Sequence, residues 1–150
     1  MKSLFKSVIS LALCLSMGTG SALAKDVDRQ AALRGLNDLR TQQGLASLGW
    51  SPRLEQAALG HATDMRRRGF LSHQGSSGSR VGDRVHKPGY GWCVVAENIA
   101  KGQPRLPSAM NSWRTSPAHR KNMLHRDVSE FAVVRAEGNI WVMVLARPGC

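Results

Sequence analysis

The sequence predicts an α+β domain, an α–β–α sandwich in which helices cover both faces of a central antiparallel sheet. Helical patterns fill the first half of the chain, strand-like segments come last, and regular strand–helix–strand alternation is absent. This order favours an antiparallel sheet covered by helices over a parallel, doubly wound one. The segment "IWVMVLA" lacks clean polar–apolar alternation, which indicates a strand covered on both faces.

Two helices are predicted before residue 70. The first begins at Asp26, a residue type that caps helices, and ends at Gly44. Its apolar positions recur near the 3.6-residue period and are Leu33, Leu36 and Leu39. The second begins at Ser51-Pro52, a cap followed by proline at the first helical position, and ends at Gly69. Its core positions are Leu54, Ala57, Ala58, Ala62 and Met65.

A loop rich in glycine and serine follows these helices, over residues 72–91. Within it, "RVGDRVHKPGY" predicts a short helical turn ended by Pro88-Gly89. Strand character begins at "CVVAENIA". Near the end, "EFAVVRA" and "IWVMVLAR" are rich in β-branched and aromatic residues and flank Glu137-Gly138-Asn139, which predicts an antiparallel hairpin.

Two further helices are predicted between these strands. We expect the first to span Leu106 to Thr115, which places Met110 and Trp113 on one face. Ser116-Pro117 then repeats the cap-and-proline pattern and begins a short helix that runs through Leu124.

The first 24 residues are typical of a secretory signal peptide. Lys2 and Lys6 precede an apolar run over residues 8–17, and the small residues before Lys25 predict cleavage after Ala24. The run is about half the roughly 20 residues that a spanning helix needs. We therefore expect an exported, periplasmic or extracellular domain over residues 25–150, with no transmembrane segment.

Three cysteines are present. Cys14 lies in the signal, where lipidation is an alternative to removal, although lipoprotein signals favour a small residue where Leu13 stands. Cys93 and Cys150 remain, and in an oxidising compartment they predict a disulfide. A metal site built on them lacks the usual CxxC spacing.

The chain is strongly basic. Removal of the signal leaves 19 basic and 10 acidic residues, a net charge of +9, so we expect affinity for envelope polyanions, acidic glycans or anionic lipid. No nucleic-acid reading motif is present. The densest patch, over residues 66–68, is typical of a solvated helix end. We expect a monomer.

Five histidines and one glutamate are candidates for chemistry. His61 lies mid-helix and is interpreted as a packing residue, and His86 and His125 lie in polar surroundings. The other two histidines stand out, because His73 follows Phe70-Leu71 at the start of the loop and His119 falls in the first turn of a helix with a fixed start.

Glu97 is the one carboxylate inside an apolar run, and its burial is costly unless it is paired. We expect it to meet a histidine, either in a structural hydrogen bond, which the physics favours, or in a site of two histidines and one carboxylate.

The stretches "LSH", "AENIAKG", "SWRTSPAHRKNML" and "PGC" resemble, in this order, the signatures of the CAP superfamily, in its secreted bacterial SCP-domain branch. The resemblance implies an α–β–α sandwich with an open cleft. It also implies a cleft tetrad of two histidines and two glutamates, which in some members holds a divalent metal such as zinc. By position, the tetrad falls on His73, Glu97, Ser116 and His119.

Serine at the position of the second glutamate departs from that pattern, because Ser116 supplies neither a carboxylate ligand nor a base. The resemblance favours a non-enzymatic protein that binds an envelope or extracellular ligand, such as a lipid, a glycan or a protein. A metal-assisted, peptidase-like hydrolase is the alternative, with zinc or another divalent cation on His73, His119 and Glu97. A third possibility is that these side chains only brace the cleft wall.

Overall fold

The computed structural model of the chain describes residues 27–150, so the predicted signal peptide (1–24) and Asp26 lie outside the described residues. This part of the chain forms five helices and four strands. In chain order they are α1 (Arg29–Thr41), β1 (Gly49–Trp50), α2 (Pro52–Arg68), α3 (Val81–His86), β2 (Trp92–Lys101), α4 (Leu106–Thr115), α5 (Pro117–Met123), β3 (Glu130–Ala136) and β4 (Ile140–Pro148). No helix within residues 27–150 is long and apolar enough to cross a membrane.

The four strands form one sheet in the order β1-β3-β4-β2. β4 pairs antiparallel with β3, as the predicted hairpin requires, and antiparallel with β2 on its other side. β1 has no counterpart among the predicted strands, and it pairs parallel with β3 through Gly49 and Trp50. The sheet is therefore mixed rather than wholly antiparallel. A two-residue strand is too short to carry a periodic pattern, which is why the sequence did not predict β1.

Helices cover both faces of the sheet, as the sandwich prediction requires. β4 is buried at every position from Ile140 to Ala146. Val142 and Val144 belong to a core cluster shared with α2 and α3. Trp141 and Met143 belong to a second cluster, shared with α1, α4 and α5. Because both faces of β4 are buried, its sequence shows no alternation.

The helices begin and end near the residues that the sequence predicted, with two corrections that concern their caps. The Asp28 side chain accepts the hydrogen bond of a first-turn amide of α1 at 3.0 Å, so Asp28, rather than Asp26, is the cap in the described chain. α2 ends at Gly69, whose φ of 70° is left-handed. Ser51 and Ser116 precede their prolines as predicted, but neither side chain makes a capping hydrogen bond. Proline at the first helical position therefore marks these two starts.

Cys93 and Cys150 form the predicted disulfide, with their Cα atoms 5.1 Å apart. The amide of Gly149 also donates to the carbonyl of Gly91 at 2.9 Å. These two links hold the residues after β4 against the start of β2, the strand that carries Glu97.

Candidate functional site

Glu97 lies in the middle of β2, and its side chain is 2% exposed. One carboxylate oxygen, Oε2, accepts a hydrogen bond from Arg84 Nη2 at 2.7 Å. The other, Oε1, accepts from His73 Nδ1 at 2.8 Å. The carboxylate therefore has a hydrogen-bond partner on each oxygen, which is the condition under which a buried charge is tolerated.

Arg84, on α3, is the functional residue that the sequence did not reveal. Its side chain is 8% exposed, and its Nη1 donates to the carbonyl of Ser79 at 2.8 Å. A buried carboxylate predicts a cationic partner, and arginine suits that role because its planar fork donates several hydrogen bonds. The chain contains many arginines, however, and only the fold brings α3 against β2.

His61, on α2, belongs to the same cluster rather than acting only as a packing residue. Its side chain is fully buried, and its Nε2 lies 3.9 Å from Glu97 Oε1. Nε2 donates to the carbonyl of Ser72 at 2.8 Å. Burial lowers the pKa of His61, an effect that the nearby Glu97 opposes and Arg84 reinforces. The ring is therefore neutral at neutral pH, with its hydrogen on Nε2.

His73 and His119 differ in exposure. The His73 side chain is 58% exposed, and because its Nδ1–H donates to Glu97, Nε2 is the accepting nitrogen of the neutral ring. His119 lies in the first turn of α5 and is half-buried. Burial lowers the pKa of His119, and a positive charge on His73 would lower it further. His86, in contrast, is exposed, and His125 accepts a hydrogen bond from the amide of Asp127.

Two side-chain amides, of which that of Asn98 is buried, fix α5 to β2. Asn122 Nδ2 donates to the carbonyl of Glu97 at 3.1 Å and to Asn98 Oδ1 at 2.8 Å. Asn98 Nδ2 donates to the carbonyl of His119 at 3.0 Å. Asn98 is fully buried, and a polar residue beside Glu97 in an apolar strand is the one sequence signal that points to this network.

A pocket of about 470 Å³ opens beside this cluster, and we call it the cleft pocket. Its lining residues are His73, Gln74, Arg80, Val81, Val95, Ala96, Glu97 and Asn122. Three adjacent apolar side chains and several polar groups make up this lining, a composition typical of small-ligand sites. Of the four positions carried over from the CAP resemblance, His73 and Glu97 line this pocket, whereas Ser116 and His119 do not.

The predicted metal ligands do not form a metal-binding group in the described chain. Between residues 27 and 150, no three His, Cys, Asp or Glu side chains are placed to hold a metal ion. Glu97 is also bonded by Arg84 and His73. A metal bound directly to Glu97 would have to displace these hydrogen bonds, so this arrangement does not offer Glu97 as a direct ligand.

The chain belongs to the CAP family, described as the cysteine-rich secretory protein family, whose model matches residues 33–145. It is 31% identical over 106 residues to the uncharacterised protein YkwD of Bacillus subtilis, an alignment covering 70% of this chain and 41% of YkwD. It is 31% identical over 97 residues to the uncharacterised membrane protein YlbC of the same organism, covering 65% of this chain and 28% of YlbC. This chain thus spans less than half the length of either relative.

Two solved structures share the fold. An extracellular protein containing an SCP domain from Bacillus anthracis superposes with a TM-score of 0.74 and 26% identity, over 79% of this chain and 39% of that one. An outer surface protein from Borrelia burgdorferi superposes with a TM-score of 0.73 and 20% identity, over 85% of this chain and 100% of that one. The second likeness concerns the fold alone.

Proposed function

We propose that this CAP-domain chain is exported and binds a small acidic amphiphile in the cleft pocket, without catalysing a reaction. The observation that carries the proposal is the lining of that pocket. Val81, Val95 and Ala96 supply apolar surface, and Arg80 supplies a cation to the same pocket. A ligand with an apolar body and one anionic group matches both features.

The hydrogen bonds and the burial of the Glu97 carboxylate favour a binding function over hydrolysis. A general base needs an oxygen within hydrogen-bond reach of the proton that it removes. Here both oxygens of Glu97 accept hydrogen bonds from Arg84 and His73, and the side chain is 2% exposed. Serine occupies the position of the second glutamate, so the CAP pattern supplies no second carboxylate at Ser116.

Export rests on two observations. The Cys93–Cys150 disulfide is typical of proteins that fold outside the reducing cytoplasm. Among the similar structures, one that is 26% identical is described as an extracellular protein. The predicted signal peptide leads to the same proposal, and the amino terminus of the protein recovered from the exporting cell would test cleavage after Ala24.

The binding proposal is tested by calorimetric titration of the mature chain with octanoate and with 1-octanol, which share a chain length and differ in charge. Octanoate should bind at one site, and more tightly than 1-octanol. Arg80→Gln should weaken octanoate binding by about tenfold, the effect of losing one charged contact. Arg53→Gln is the matched control, because Arg53 is an exposed arginine that does not line the cleft pocket.

Equal affinity for octanoate and 1-octanol, or equal losses in the two arginine variants, would contradict the proposal. A parallel titration with zinc tests the alternative function. One zinc ion per chain, lost in His73→Ala, would instead favour the metal-assisted hydrolase with His73, His119 and Glu97 as ligands.

A further inference from the structure

The surface formed by α4, α5 and the segments that join them to the strands is strongly cationic, and we call it the α4–α5 face. Between Glu97 and Asp127 the chain contains no aspartate or glutamate. The same stretch contains six basic residues, namely Lys101, Arg105, Arg114, Arg120, Lys121 and Arg126. This stretch therefore carries a net charge of +6, out of +9 for residues 25–150.

The six cations face solvent and have no anionic partner in the described chain. Five of them are exposed, and Arg120 is half-buried. None of the six forms a salt bridge within residues 27–150. Arg114 Nη2 donates to Asn111 Oδ1 at 2.8 Å, and this neutral partner orients the guanidinium without neutralising it. The charge of the α4–α5 face is therefore available to an external anion.

Other parts of the domain balance their cations with carboxylates. Three arginines outside the α4–α5 face are paired in this way, in the salt bridges Arg29–Glu55, Arg66–Glu137 and Arg84–Glu97. Arg66 belongs to the densest basic run in the sequence, so even that run is partly balanced. The α4–α5 face differs because its stretch of chain supplies no carboxylate that could pair with its cations.

A seventh cation lies beneath α5. Arg40, on α1, is 1% exposed, and its Nε donates to the carbonyl of Ala46 at 2.8 Å. Its Nη1 donates to the carbonyls of Met123 at 2.9 Å and His125 at 3.0 Å. These acceptors are neutral, and Arg40 forms no salt bridge with the residues that the structure describes. A buried charge is screened less than one in water, so Arg40 adds to the positive potential of the face.

The composition of the α4–α5 face fits an acidic polysaccharide better than a membrane. Within residues 27–150 the exposed large apolar side chains are Leu71 and Trp92, and both lie outside this face. Helices that lie in a membrane surface present large apolar residues to the lipid, and this face exposes none. Asn111 and Thr115 are exposed among the cations, and their amide and hydroxyl groups can bond sugar hydroxyls.

We propose that the α4–α5 face binds an acidic polysaccharide, a saccharide chain with repeated carboxylates, through its arginines and lysines. The planar fork of arginine donates two parallel hydrogen bonds to a carboxylate, which suits this partner. The cations come from both helices and from the segments on either side of them, so a chain that crosses the face meets several of them. None of the six cations lines the cleft pocket, so this surface is distinct from the proposed amphiphile site.

Biolayer interferometry of the mature chain on immobilised polygalacturonate, with dextran as the uncharged polysaccharide, tests this proposal. Polygalacturonate should bind, more weakly as the salt concentration rises, and dextran should not bind. The double variant Arg114→Gln, Lys121→Gln should weaken the binding by at least about fivefold. The matched control is Arg67→Gln, Arg68→Gln, which removes the same charge from two exposed arginines of α2 and should weaken it by less than about twofold.

Thermal melting of both double variants should match that of the parent, because all four side chains are exposed. Equal losses of affinity in the two variants would overturn the proposal, since net charge alone would then govern binding. Binding to phosphatidylglycerol vesicles or to inorganic polyphosphate, without binding to polygalacturonate, would also overturn it. The cleft proposal is tested separately, because Arg114→Gln, Lys121→Gln should leave octanoate affinity unchanged.

Discussion

Replacement of Arg84 by methionine should destabilise the domain by about 3–5 kcal/mol, the usual cost of removing one partner from a buried ion pair. The structure supports the full figure, because the two side chains are 8% and 2% exposed and their contact is 2.7 Å. Solvent therefore screens the pair weakly. The variant leaves the Glu97 carboxylate buried beside His73, and it also removes the hydrogen bond to Ser79.

Urea unfolding at neutral pH, followed by tryptophan fluorescence, measures this loss. The matched control is Arg29→Met, which breaks a salt bridge of similar length, 2.9 Å, to Glu55. That pair is exposed, with side chains 59% and 26% accessible, so its loss should cost at most about 1 kcal/mol. Similar losses in the two variants would refute the argument that burial makes Glu97 depend on Arg84.

A double-variant comparison separates the lost pair from lost packing. Adding Glu97→Gln to Arg84→Met removes the uncompensated charge and keeps a side chain of similar shape. The double variant should therefore be more stable than Arg84→Met alone, by up to about 3 kcal/mol, because no uncompensated charge is left buried. A double variant less stable than Arg84→Met would mean that the charge of Glu97 is not the source of the loss.

Two further predictions concern stability. Changing both Cys93 and Cys150 to serine should lower the free energy of unfolding by about 4 kcal/mol, since the bridge closes a loop with a sequence separation of 57; an unchanged urea midpoint after reduction of the parent would contradict this. Because burial lowers the pKa of His61, the folded state binds fewer protons than the unfolded state, and stability should fall as the pH drops below about 6.5. His61→Gln should flatten that dependence between neutral and mildly acidic pH, and a pH profile parallel to that of the parent would exclude His61 as the source.

The sequence predicted the helices and turns whose ends are marked by particular residue types. The helix Leu106–Thr115 has the bounds expected of it, and the hairpin turns at Gly138 and Asn139, both with positive φ. Helix ends that no single residue type marks were predicted less accurately. α1 ends at Thr41, before the predicted Gly44, and its cap is Asp28, two residues after the predicted Asp26.

The sequence identified Glu97 as a site residue but did not identify all of its partners. Glu97 stood out because a carboxylate in an apolar strand must find partners, and that argument needs nothing beyond the local sequence. Its partners come from three separate parts of the chain, α2, the following loop and α3. No local spacing links Arg84 or His61 to Glu97, so only the fold identifies them.

The position of β4 also sets how the domain opens. It lies between β3 and β2 in the described sheet, and both of its faces are buried. Its amide hydrogens can therefore exchange with solvent only when the whole domain unfolds, whereas the short β1 and α3 at the margins can open by local fluctuation. Since α3 carries Arg84, a local opening of this short helix would expose the buried carboxylate of β2.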